Sequence, residues 1–112
     1  MMEETGAGPL EITDENFGDE IESSVGLAMV DFWAEWCGPC RLVGPIVEQL
    51  AVEYAETVKV GKLDVDANPS TAFRFNVRSI PSILFFKNGE LIDTVVGALP
   101  KSALEAKIAQ HE

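Results

Sequence analysis

Cys37 and Cys40 are the only cysteines in the 112-residue chain, and Gly38 and Pro39 separate them. A bridge between them closes a very small loop, which by loop-closure entropy adds little stability. The pair therefore reads as reactive rather than structural. Helical side chains three residues apart lie about 5–6 Å from one another at Cβ, and a disulfide needs about 3.5–4.5 Å. A small rotamer or backbone adjustment makes or breaks the bond, so the pair can cycle between dithiol and disulfide. A structural zinc site takes four ligands, and the one histidine, His111, lies next to the last residue. The cysteines lack the companions a metal needs.

Placement separates their roles. Cys37 is expected at a helix N-terminus, where unpaired backbone N–H groups and the positive end of the helix dipole favour a thiolate. Thiolate is the attacking form in disulfide exchange, which makes Cys37 the nucleophile. Cys40, a turn further in, is expected to be the more buried and to resolve the mixed disulfide. Pro39 suits a first helical turn, where its missing N–H costs nothing. Gly38 leaves room for a substrate backbone.

Other residues around the pair invite chemistry. Asp31 interrupts the apolar run Ala28-Met29-Val30-Asp31-Phe32-Trp33. A carboxyl buried there without a charge partner has a raised pKa and can act as general base for the Cys40 thiol. The other reading, a side chain solvated at the sheet edge, stays open. Lys62 is a candidate partner on a neighbouring strand. Trp33 reads as core, and Trp36 as an exposed substrate contact. Ile80-Pro81 precedes a strand, an ordinary place for proline.

These residues depend on elements legible in the pattern. Leu10–Ile12 reads as a short edge strand, and Thr13 as the N-cap of a helix whose apolar face is Phe17, Ile21 and Val25, with Asp14 and Glu15 favouring its dipole. Leu27–Trp33 has the continuous apolar character of a strand covered on both faces. Arg41–Tyr54 carries Leu42, Val43, Ile46, Val47, Leu50 and Tyr54 at helical spacing, with a kink expected at Pro45. Val58–Val65 reads as a second buried strand, and Asn68-Pro69 opens a short helix through Phe75. Ser82–Phe86 and Leu91–Val96 flank Asn88-Gly89, a strong hairpin signal. Ser102–Ala109 forms a last amphipathic helix. The order β-α-β-α-β-α-β-β-α is an α/β pattern: a mixed sheet with helices on both faces.

The formal charge is −11, and residues 1–24 hold eight acids and no Lys or Arg, leaving eleven acids against eight bases elsewhere. That balance argues against nucleic-acid binding, which needs clustered cations. It favours solubility and low self-association, so a monomer is expected. No stretch approaches the roughly 20 apolar residues of a membrane span. The acidic start has no secretory pattern, which for a full-length chain points to the reducing cytoplasm. Residues 1–9 are expected to be a disordered extension and residues 10–112 a single domain.

The string Val30-Asp31-Phe32-Trp33-Ala34-Glu35-Trp36-Cys37-Gly38-Pro39-Cys40 resembles the thioredoxin family at almost every position. The likeness continues through Pro45, Lys62-Leu63-Asp64-Val65-Asp66, Asn68-Pro69, Arg78-Ser79-Ile80-Pro81, Phe86-Lys87-Asn88-Gly89-Glu90 and Val96-Gly97-Ala98. The resemblance implies a thioredoxin fold, a five-stranded mixed β-sheet flanked by four helices. It implies a cis Ile80-Pro81 bond beside the cysteines, and a substrate groove made with Trp36, Gly38, Pro39, Gly97 and Ala98. It also implies that Asp31 is buried near Lys62 and assists Cys40. The implied activity is general protein-disulfide reduction with no bound cofactor. Electrons would come from NADPH through a thioredoxin reductase and pass to clients such as ribonucleotide reductase, peroxiredoxin and methionine sulfoxide reductase. Gly38-Pro39 favours this role, because oxidases and isomerases of the superfamily usually carry a histidine between the cysteines.

Overall fold

The computed structural model describes residues 8–112. The extension expected over residues 1–9 falls, as far as residue 7, outside the described residues. Five strands form one mixed sheet: β1 (Leu10–Glu11), β2 (Leu27–Trp33), β3 (Val58–Asp64), β4 (Ser82–Lys87) and β5 (Glu90–Val96). Their spatial order is β1-β3-β2-β4-β5. β3 runs parallel to β1 and β2, while β4 is antiparallel to β2 and β5. The helices are α1 (Cys40–Glu53), α2 (Pro69–Arg74) and α3 (Lys101–His111), with a π-helical turn at Gly18–Glu22.

Side-chain alternation divides the sheet into two faces. On one, Leu27, Met29, Val60, Ile83 and Phe85 pack with Val43, Val47 and Leu50 of α1 and with Leu104 and Ile108 of α3. On the other, Ala28, Val30, Phe32, Leu84 and Phe86 pack with Phe17, Ile21 and Ala72. β2 therefore lies between two apolar layers in mid-sheet, which accounts for its near-continuous hydrophobic sequence. Gly61 admits Ile12 against β3, since a Cβ there would lie 2.6 Å from Ile12 Cγ1.

Several local expectations change in the structure. Val25 is 90% exposed and Leu42 is 70% exposed, so neither joins its helix's apolar face. The first helix is a single π-type turn that ends before Val25. Thr13 does cap the chain entering it, in a reciprocal pair: Thr13 N–H donates to Asn16 Oδ1 (2.7 Å) and Asn16 N–H to Thr13 Oγ1 (3.0 Å). Asp14 serves a different helix. Its carboxylate accepts from Ser70 N–H (3.2 Å), Thr71 N–H (2.8 Å) and Thr71 Oγ1–H (2.7 Å), capping α2. Asn68 returns a contact through Oδ1, which accepts Asp14 N–H at 2.9 Å. α1 continues through Pro45 to Glu53. Asn88 and Gly89 both have positive φ, as the tight hairpin requires.

Candidate active site

α1 begins where β2 ends, and the cysteines occupy that junction. Cys37 and Cys40 are joined in a disulfide with Cα atoms 5.3 Å apart. Pro39 is the N-cap and Cys40 the first helical residue. The Cys40 N–H points at Cys37 Sγ, 3.2 Å away. A donor so placed stabilises a thiolate on Cys37 once the disulfide opens. The burial expectation is corrected: Cys37 is 3% and Cys40 5% exposed, so area does not separate them. The helix-end amide does.

The structure brings the other strand ends to the same place. Cys37 Sγ lies 3.7 Å from the Ile80 carbonyl oxygen. The Ile80-Pro81 peptide bond is cis. Gly97 N–H donates to the Pro81 carbonyl at 2.9 Å, joining the end of β5 to this point. Gly97 has φ +103°, and the space where its Cβ would stand is open, as it is at Gly38. Trp36 is 67% exposed, and Pro39 and Ala98 are also exposed. Ala34, Cys37 and Cys40 pack with Trp33, Val65 and Ile80 beneath the surface.

Asp31 is 1% exposed and lies on β2, the middle strand of the five. The sheet-edge reading is therefore excluded. By alternation its side chain shares the α1 face with Met29. In register it pairs with Lys62 on one side and Ile83 on the other. Neither carboxylate oxygen has a hydrogen-bond partner among the described residues. Burial pushes its pKa up to about 7, against the pull of the Lys62 charge. Lys62 does not bond to it; its Nζ lies 4.8 Å from the centroid of the Trp33 ring. A cleft of about 260 Å³, lined by Trp33, Cys40, Arg41, Gly44 and Lys62 among others, opens beside the second cysteine.

Two residues here are not among the site residues expected from the sequence. Val65 packs against the cysteines, and Asp66 Oδ2 accepts the Trp36 Nε1–H at 2.8 Å. Neither has a spacing signal, because each is brought in by the turn after β3. Among the described residues no group of three His, Cys, Asp or Glu side chains is placed to hold a metal ion. No helix there is long and apolar enough to cross a membrane.

Comparison with known proteins agrees with this geometry. The thioredoxin family model matches residues 8–110. The chain is 48% identical over 101 residues to thioredoxin 2 of Chlorobaculum tepidum, covering 90% of this chain and 93% of that one. With the thioredoxin of Staphylococcus saprophyticus it shares 51% identity over 102 residues, covering 91% and 96%. With the chloroplastic M-type thioredoxin of Pisum sativum it shares 46% over 100 residues, covering 89% of this chain and 58% of the relative.

Proposed function

Because this chain belongs to the thioredoxin family and is a thiol–disulfide oxidoreductase, we propose that it is a general reductant of protein disulfides in which Cys37 attacks and Cys40 resolves. The observation that carries the assignment is the Cys40 N–H directed at Cys37 Sγ at the start of α1. In the dithiol form the Cys37 thiolate attacks one sulfur of a client disulfide and expels the other as a thiolate. Cys40 then loses its proton to the Asp31 carboxylate and attacks Cys37 Sγ. The client leaves as its second thiolate, and the Cys37–Cys40 disulfide remains. Two electrons have passed from the dithiol to the client.

Asp31 suits the proton step because its pKa of about 7 lets it exist in both forms near neutrality. Lys62 acts on it through charge, holding that pKa below where burial alone would set it. Trp36, Gly38, Pro39, Ile80, Pro81, Gly97 and Ala98 form the groove that receives an extended client segment. Residues 10–112 constitute the working domain. The disulfide is returned to the dithiol by a thioredoxin reductase drawing on NADPH, and no cofactor resides on this chain. Ribonucleotide reductase, peroxiredoxin and methionine sulfoxide reductase are clients by family resemblance. The protein works as a monomer in the cytoplasm, where the reducing poise keeps such a dithiol charged.

The test is trapping. Cys40→Ser should accumulate mixed disulfides with client proteins, seen on non-reducing gels, and Cys37→Ser should accumulate almost none. Equal trapping by both would reverse the assignment. A midpoint potential near the thioredoxin family figure of about −270 mV marks a reductant, whereas about −180 to −120 mV marks an isomerase or oxidant.

A further inference from the structure

We propose that Ser82 is a positioning residue of this site: its buried hydroxyl turns the Ser79 carbonyl inward and so aims the Ile80 N–H outward, as a donor to the client's backbone. The inference rests on the reductant reading above. Ser82 opens β4 and is 2% exposed. Alternation puts it on the same sheet face as Leu84 and Phe86, which lie in the apolar layer with Phe32. A hydroxyl in such a place is costly unless it is bonded. Here it is bonded: Ser82 Oγ–H donates to the Ser79 carbonyl, three residues back.

That bond sets the plane of the next peptide. The Ser79–Ile80 bond is trans, and a planar trans amide directs its C=O and its N–H oppositely. With the Ser79 oxygen drawn in toward the strand, the Ile80 N–H faces away from it. This N–H donates to no backbone carbonyl among the described residues. The carbonyl of the same residue lies 3.7 Å from Cys37 Sγ, so the free donor belongs to the residue that touches the reacting sulfur. The hydroxyl has a rigid base, because Ser82 pairs with Phe32 of β2 on one side and Val96 of β5 on the other. Gly97 N–H, donating to the Pro81 carbonyl at 2.9 Å, fixes the other end of the turn.

A donor already aimed at the groove accepts a client carbonyl without first reorienting. Without the hydroxyl, the Ser79–Ile80 peptide plane is free to turn and the donor is no longer held in place. Ser82→Ala should raise KM for a disulfide-bonded test protein about 2- to 10-fold, the worth of one hydrogen bond, with kcat nearly kept. Its rate with dithiobis(nitrobenzoic acid), a small disulfide that carries no peptide backbone, should equal the wild-type rate. Ser82→Thr keeps the hydroxyl and suits a strand, and should return KM to near the wild-type value. A hydroxyl that served the fold alone would, when removed, slow both substrates alike. That result, an unchanged KM in Ser82→Ala, or a Thr variant no better than Ala overturns the inference while the wild-type activity stands. A wild type unable to reduce the test protein overturns the functional reading and this inference together.

Discussion

Both carboxylate oxygens of Asp31 are removed from water and from any donor among the described residues, so ionising the group in the folded state is costly. Burial lifts its pKa from 3.8 to about 7 despite Lys62. The linkage sign follows. An acid whose folded pKa is raised favours the fold fully below pH 3.8, loses that advantage as pH rises toward about 7, and is flat above. At about 1.36 kcal/mol per pH unit, the loss is on the order of 4 kcal/mol. Asp31→Asn removes the ionisation but leaves a buried amide to satisfy, so part of the gain is returned. The variant should be more stable than wild type by about 1–3 kcal/mol at pH 8.5, and the advantage should shrink to nothing near pH 4. Urea titrations at the two pH values measure it. In turnover the same variant should slow disulfide reduction at least about tenfold and flatten the pH–rate profile near neutrality. An unchanged profile would remove Asp31 from the proton step.

α2 has no side-chain cap from its own N-cap residue, Asn68. Its first amides are satisfied by Asp14, more than fifty residues earlier. Burial acts to raise the Asp14 pKa, but the Thr71 and Ser70 hydrogen bonds outweigh it and the net shift is downward. Removing a cap typically costs about 0.5–2 kcal/mol, so Asp14→Ala should lower stability by about 1–2 kcal/mol in denaturant titration. Asp14→Asn, which keeps an acceptor, should recover part of that. This contact also marks the limit of what the chain's pattern reveals. β2, α1 and the Asn88-Gly89 hairpin were legible because each announces itself by apolar periodicity or by local turn chemistry. The target of Asp14 and the Trp36–Asp66 bond join segments far apart in the chain, and no local spacing encodes them. Val25 and Leu42 misled for a related reason: apolar type predicts burial only if the helix continues and faces the sheet. The roles proposed for the cysteines rest on position at a helix end, which local sequence does specify.

The sheet is closed against its last helix by charge as well as by packing. Asp93 of β5 accepts from Lys107 Nζ at 2.9 Å and contacts His111 Nε2 at 2.8 Å, both on α3. The Lys107 and then the His111 hydrogen bond hold its pKa down at about 2. A depressed acid contributes above its unfolded value of 3.8 and loses that contribution as pH falls toward about 2. Asp93→Asn should cost about 1–2 kcal/mol at pH 7, allowing for partial exposure, and nothing near pH 2. Thermal melts across that range give the difference directly.

The Asp14 clamp also has a consequence in time. A chain emerging from a ribosome makes Asp14 early and the α2 amides it will cap 57 residues later at Thr71. At about 5–20 residues per second, the wait is about 3 to 11 seconds. Throughout that interval the leading segment has no α2 to fasten to, and a chain stalled before Ser70 never acquires one. Nascent chains arrested at residue 68 should therefore lose their N-terminal segment to protease far faster than chains arrested beyond the end of β5.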